Sequence, residues 1–498
     1  MFDSTFVDSL PGDPRADIAP RQVRGAAWSR VTPTPVKAPR ILAWIPEVAQ
    51  QVALPEVAPP EAAEIFGGNR VPPGSAPYAA CYGGHQFGNW AGQLGDGRVI
   101  TLGERRGVDG LSREVQLKGA GPTPYSRFAD GRAVLRSSLR ELVASEAMFH
   151  LGVPTTRALA LVATGDGVVR DMFYDGNAGV EPGAICVRVA PTFIRFGTFE
   201  LPAANGDAEL LGRIARYTID RYFTEGGASP DVPEFFTSVC RRTAKLMVEW
   251  LRVGFVHGVM NTDNLSILGL TVDYGPFGFL DAFDPGWTPN TTDAAGRRYR
   301  YGNQPQIGLW NLSRLAGALS ELCPDHDALA SGLELYRREV ESEQRRMFLT
   351  KLGLEAHEDS AVDAALLGSL FELLTAAETD MTLFFRGLAE GDVSPAFYGE
   401  PPRQLSAWLG AYEARAATHA LPQRVDRMNA VNPLYVPRNY LLHEVIVATE
   451  AGDLAPLHEL LEVLRRPYER QPGRDRWAAR RPDWARQKAG CSMLSCSS

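Results

Sequence analysis

Apolar residues recur at helical spacing over 133–150, where Leu135, Leu139, Leu142 and Phe149 share a stripe, and Gly152 and Pro154 lie just beyond. A helix with a defined stop is predicted there. Around it the pattern changes to short β-type runs, Arg98–Leu102 and Glu114–Leu117 before it, Leu159–Val162 and Ile185–Val189 after it. Glycine clusters separate the first two runs and predict hairpins. From about residue 205 helical patterns dominate, most clearly at 234–253 and 331–350, interrupted by one strand-like stretch near Leu265 to Val272. Residues 1–80 are proline-rich and weakly periodic, which predicts an extended arm packed on the body. The order is β-rich with one helix and then mainly α, an α+β chain without internal repeats.

Composition narrows the class. With 498 residues, 45% of them apolar, the chain can build two or three ordinary cores, so disorder, collagen and a coiled coil are excluded for the whole. No run approaches eighteen uninterrupted apolar residues, and Asp3 and Asp8 stand where a signal peptide would be basic and then apolar, so a cytoplasmic protein without a membrane partner is expected. The net charge is −8, and the one basic stretch is Arg465 to Arg486, which gives no case for nucleic acid. Only five of the 51 basic residues are lysine, so a lysine inside a motif carries information. The cysteines at 81, 186, 240, 323, 491 and 496 show no zinc spacing, and only Cys491 and Cys496 are near neighbours.

Four clusters could carry chemistry. The window Tyr82 to Arg98 holds many glycines, which let backbone N–H groups converge on an anion, although a tight hairpin would also account for them. Lys118 ends an apparent strand, and the next helix offers Glu141 and Glu146. Such a pair holds an ammonium against nucleotide phosphates in kinase-like folds. Helical periodicity puts Glu146 within the apolar face and Glu141 at its polar edge, and does not choose between them. In His257-Gly-Val-Met-Asn-Thr-Asp-Asn264, followed by Asp273-Tyr-Gly275, the amide of Asn264 and the carboxylate of Asp273 stand nine positions apart around a short apolar hairpin. They can meet on one divalent cation shared with substrate phosphates. The spacing resembles the catalytic loop and Asp-Phe-Gly element of protein kinases, except that Val259 stands where a kinase places its catalytic Asp; Asp263 is the nearest carboxylate. Arg188 and Arg195 could fork a polyphosphate, or simply lie on the surface of an arginine-rich chain.

Taken together, Tyr82–Arg98, Leu117–Gly121, Tyr125–Arg127, Asp130–Ser138, His257–Asn264, Asp273–Asp281, Asn311-Leu312 and the terminal Cys496-Ser-Ser498 closely resemble the selenoprotein O family. The resemblance implies a protein-kinase-like two-lobed fold, with residues 1–80 as an N-terminal extension, 81–200 as a β-rich N-lobe, 201–450 as a helical C-lobe and 451–498 as a tail. It implies a monomeric enzyme that binds ATP in a flipped orientation and transfers AMP to protein hydroxyls with Mg²⁺ or Mn²⁺. Gly95, Gly97, Arg98, Asp130 and Gly131 would contact nucleotide. Lys118 would hold phosphate and pair with Glu141, while Arg188 and Arg195 would grip the phosphates. Asp263 would be the general base, and Asn264 and Asp273 the metal ligands, Asp273 also touching nucleotide. Attack at the α-phosphorus requires cations on the departing β and γ phosphates and a base beside the metal, which fits this allocation. Members can carry a cysteine after the Asp-Tyr-Gly element that bonds to the C-terminal residue; 284–300 contains none here, leaving Cys491 with Cys496 as a conceivable pair. UMP transfer from UTP with Mn²⁺, an idle ATP-binding scaffold and a γ-phosphoryl kinase remain the alternatives.

Overall fold

The computed structural model describes residues 1–172, 176–224, 227–357, 360–417, 420–491 and 493–495. Its centre is a seven-stranded sheet in the order Trp28–Arg30, Tyr78–Ala80, Val99–Arg106, Ser112–Lys118, Gly179–Ala190, Arg157–Arg170 and Arg40–Trp44. Every pairing is antiparallel. The helix Leu135–His150 lies against the last two long strands, Arg157–Arg170 and Gly179–Ala190. Its Leu139, Leu142, Val143 and Met148 are fully buried in one core with Cys186 and Leu161. The other face of the sheet is covered too, where Leu102, Val115, Leu117, Val187 and Val189 pack on Val48, Ala49 and Phe66. Burial on both faces removes the in/out alternation, which is why the strands read as short continuous apolar runs.

The first eighty residues differ from the expected arm. Trp28–Arg30 and Arg40–Trp44 are the two edges of the sheet, and Pro46–Gln51 supplies Val48 and Ala49 to the core beneath it. Prolines break up the periodicity here, yet the short strands between them are held by partners distant in sequence.

Beyond the sheet come helices, with Val232–Val253, Gln304–Leu319 and His326–Lys351 packed on one another. Val232–Val253 opens with a reciprocal capping box between Asp231 and Glu234 and closes on Gly254 at φ 73°. The stretch 265–272 is not a strand and does not form its own hairpin. Gly269, at φ 67°, closes a turn through its N–H to Ser266 O at 3.0 Å, while single bridges join Ser266 to Arg195 and Thr271 to Thr155. Leu265 and Ile267 are buried against other elements, which gives the segment its strand-like pattern. The tail folds back on the 284–300 loop, Leu494 N–H donating to Pro289 O at 3.1 Å and Thr291 N–H to Leu494 O at 2.8 Å. Cys491 is buried, and Cys496 lies outside the described residues. Among the described residues no helix is long and apolar enough to cross a membrane.

Candidate active site

Lys118 occupies the last position of a central strand, in register with Val99 and Cys186, so its side chain leaves the sheet at a fixed point. Its ammonium is 2.7 Å from Glu141 Oε2 and 3.2 Å from Asp273 Oδ1. Glu146 serves elsewhere. It receives both Arg157 Nε (3.0 Å) and Nη2 (2.6 Å) and the N–H of Ala158 (3.1 Å), all within the core. Geometry thus separates the two glutamates that periodicity left equivalent.

Asp273 is the hub. Arg188 Nη1 reaches its Oδ1 at 2.5 Å and Arg195 Nη1 its Oδ2 at 2.5 Å, in addition to the lysine. Burial works against ionisation, but Arg195, Lys118 and Arg188 together hold the carboxyl well below its ordinary range. Asp273 sits at φ 58°, a left-handed conformation that is strained for a residue with a Cβ and typical of functional sites. Arg188 also pairs with Glu141 (3.1 Å) and Gln116 Oε1 (2.7 Å), and Arg195 donates to Asp263 O at 2.8 Å. Both guanidinium groups are buried, so neither is an ordinary surface arginine.

The 257–264 loop is held from behind. His257 stacks on Trp250 at 5.3 Å, and its Nε2 lies 2.9 Å from Val272 O; burial pulls its pKa down, consistent with a neutral structural imidazole. Asn311 Nδ2 donates to Met260 O, and Asn261 Oδ1 accepts from Tyr299 OH and Phe87 N–H. In the short turn Thr262–Asn264, the Asn264 amide nitrogen donates to Val259 O at 2.9 Å, leaving its oxygen for another partner. Asp263 is 7% exposed, and burial pushes its pKa up to about 7, with Arg195 and Gln86 pulling it back. Its Oδ2 accepts from Gln86 Nε2 at 3.3 Å, whereas Oδ1 is buried without a hydrogen-bond partner. A buried carboxylate oxygen left open in this way calls for a ligand or a proton donor.

Gly84 and Gln86 come from the strand Gly83–Gln86 of the glycine-rich window, and its two-residue alternation turns both toward Asp263. A Cβ at Gly84 would stand 2.9 Å from Asp263 Oδ1. The loop that looks like an anion cradle in sequence therefore also forms the wall against the carboxylate. Gln86 lies in that window without a role being assigned to it; the only signal was its place two residues after Gly84.

These groups face a cavity of about 780 Å³. Gly95, Gly97, Arg98, Lys118, Asp130, Gly131, Asp263, Asn264 and Asp273 all line it, as does Val259. Glu141, Arg188 and Arg195 do not. They stand behind the wall, reaching the cavity through Lys118 and Asp273. Asp130 is drawn to Arg170, 2.7 Å away, on the cavity's rim. The oxygen donors of Asn264 and Asp273 suit a hard divalent cation. Among the described residues no group of three or more His, Cys, Asp or Glu could enclose a metal, so an ion here would complete its shell with substrate oxygens or water.

The family model described as protein adenylyltransferase SelO matches residues 21–465. The chain belongs to the SelO family. It is a transferase of the nucleotidyl class, and a nucleotide is therefore one of its substrates. Relatives carrying the description "Protein nucleotidyltransferase YdiU" include one from Aromatoleum aromaticum, 58% identical over all of this chain and 99% of the relative. Another, from Azoarcus sp., is 57% identical, and one from Xanthomonas campestris pv. campestris 56%, with the same coverage. Membership in the SelO family spans both the sheet and the helices, so the cavity between Lys118 and Asp263 falls within the matched region.

Proposed function

We propose that this chain transfers AMP from ATP to the hydroxyl of Ser, Thr or Tyr side chains of cytoplasmic proteins, with release of pyrophosphate. The observation that carries this reading is the pair of carboxylates at one end of the cavity. Asp263 has an open buried oxygen, and burial raises its pKa, while Asp273 is clasped by three cations. Asp263 takes the proton of the attacking hydroxyl. That oxygen bonds to the α-phosphorus, the bond from the α-phosphorus to the bridging oxygen breaks, and its electron pair leaves with pyrophosphate. Lys118, Arg188 and Arg195 place positive charge where the β and γ phosphates leave, which favours a flipped nucleotide. Gly95, Gly97, Arg98, Asp130 and Gly131 hold the rest of it. Asn264 and Asp273 would hold Mg²⁺ or Mn²⁺, and the ion would supply charge neutralisation at the phosphate oxygens.

The sheet with its Lys118–Glu141 pair and the helical half with its catalytic loop support a kinase-like two-lobed reading of 81–200 and 201–450, with a monomer sufficing for the chemistry. Val259 on the cavity wall cannot accept a proton, which argues against γ-phosphoryl transfer. The test is labelled ATP. With Mg²⁺ or Mn²⁺ and a protein acceptor, α-label is expected on protein and γ-label is not, and Asp263→Ala and Asp273→Ala abolish transfer. Retention of γ-label overturns the reading. ATP binding without label from either position restores the idle scaffold, and a stronger signal from α-labelled UTP makes UMP the transferred group.

A further inference from the structure

Phe128 has the highest relative exposure of any large apolar side chain among the described residues, at 106%, yet it lines the same cavity as Lys118 and Asp263. Scattered exposed apolar residues need no explanation, but a bare ring at the mouth of a polar cavity does. The turn that presents it is braced. Thr123 N–H donates to Ser126 Oγ at 2.8 Å, Ala129 N–H to Ser126 O at 2.9 Å, and Thr123 Oγ1 to Asp96 O at 2.7 Å, fastening the turn to the glycine loop. Arg127 sits at a left-handed φ of 55°. Gly131 closes the turn at φ 69°, where a Cβ would stand 2.2 Å from the backbone of Gly121. The left-handed backbone at Arg127 belongs to the turn that leaves the next side chain exposed at the border of the cavity. Arg98 and Arg127, also on the cavity wall, have no side-chain partner among the described residues.

We propose that the 125–131 turn is the nucleobase clamp of this site, with the Phe128 ring stacking on the base and the Arg127 guanidinium taking an oxygen of the same nucleotide. The assignment rests on the nucleotide-transfer reading. Phe128 and Lys118 line one cavity, so a nucleotide whose phosphates lie against Lys118 keeps its base within the space that the Phe128 ring borders. Every base has a π-face, so a stacking ring with no hydrogen-bonding edge admits purine and pyrimidine alike, with the larger purine favoured.

Equilibrium binding of ATP, UTP and inorganic tripolyphosphate to the full chain tests this without any transfer step. Phe128→Ala is expected to weaken ATP about tenfold and UTP less, and to leave tripolyphosphate within about twofold. Phe128→Trp restores ATP affinity. Since the side chain is fully exposed, these substitutions leave the fold intact. Unchanged ATP affinity in Phe128→Ala overturns the clamp, as does an equal loss for tripolyphosphate. If the wild-type chain binds ATP but transfers nothing, the transfer reading fails while the clamp is still decided by these affinities.

Discussion

Glu141 and Glu146 lie on the same helix, five residues apart and both buried, but their surroundings predict opposite consequences for the same change. In Glu146→Gln, Arg157 loses its carboxylate. What remains around that buried guanidinium is one neutral amide oxygen and the face of Phe149, 3.5 Å from its Cζ, with no opposite charge, and its Nη1 already lacks a partner. A buried charge left uncompensated costs about 3 to 5 kcal/mol. In Glu141→Gln, Lys118 and Arg188 both retain Asp273, at 3.2 and 2.5 Å, so the loss is about 2 kcal/mol, that of one charged hydrogen bond. Activity should follow the reverse order. Glu141 fixes the ammonium that faces the departing phosphates, and a misplacement of about 1 Å costs about 10²-fold in rate. Glu146 touches nothing in the cavity, so its variant should keep kcat within about threefold of wild type. The assays are urea unfolding, and transfer from α-labelled ATP at a temperature where both variants remain folded. The reasoning is refuted if Glu146→Gln lowers kcat as far as Glu141→Gln, or if Glu141→Gln unfolds at lower urea than Glu146→Gln.

Gly84→Ala sets a methyl group 2.9 Å from Asp263 Oδ1, so kcat should fall at least tenfold while ATP affinity, read by equilibrium dialysis, holds; unchanged kcat would show that the strand can retreat. Glu114, inside the sheet, is pushed by burial up to about 8. Its folded value lies above its unfolded value near 4.5, so the folded chain binds the extra proton. Stability therefore falls as pH rises from about 4.5 to 8, by at most about 1.4 kcal/mol per pH unit for this group, and Glu114→Gln should flatten the slope of unfolding free energy against pH. Retention of the full slope in that variant would place the proton elsewhere.

Local patterns carried the hairpin of 99–118, the helix after it and the long helices of the second half, because each is specified by neighbours in sequence. Arg40–Trp44 and Trp28–Arg30 were hidden, since their strand character comes from pairing with Arg157–Arg170 and Tyr78–Ala80. The same limit applies to the site. Lys118, Asp263 and Asp273 were legible as residue types in unusual spacing, but that Arg188 and Arg195 converge on Asp273 from behind the cavity wall is a property of the folded sheet. Nor could spacing show that Gln86 reaches Asp263 across 177 positions. Phe149 closed the apolar stripe in the sequence yet lies 44% exposed, with Arg157 over its ring.

The charge around Asp273 explains why these cations are mostly arginine. Lys118, Arg188 and Arg195 pair with Glu141 and Asp273, and the buried carboxyls of Asp96 and Asp263 also act on Arg195, so three cations are gathered in a buried place among acidic groups. A buried lysine without a paired carboxylate holds its proton less tightly: Lys351, which has no carboxylate within ion-pairing reach among the described residues, is pushed well below its ordinary pKa by burial. Guanidinium does not escape that way, because it remains protonated even where water is excluded. Arginine at 188 and 195 keeps both positions charged, and Lys118 is held between Glu141 and Asp273. A polyphosphate entering the cavity meets this cluster at Lys118, and the permanent charges of Arg188 and Arg195 behind the wall add to its attraction.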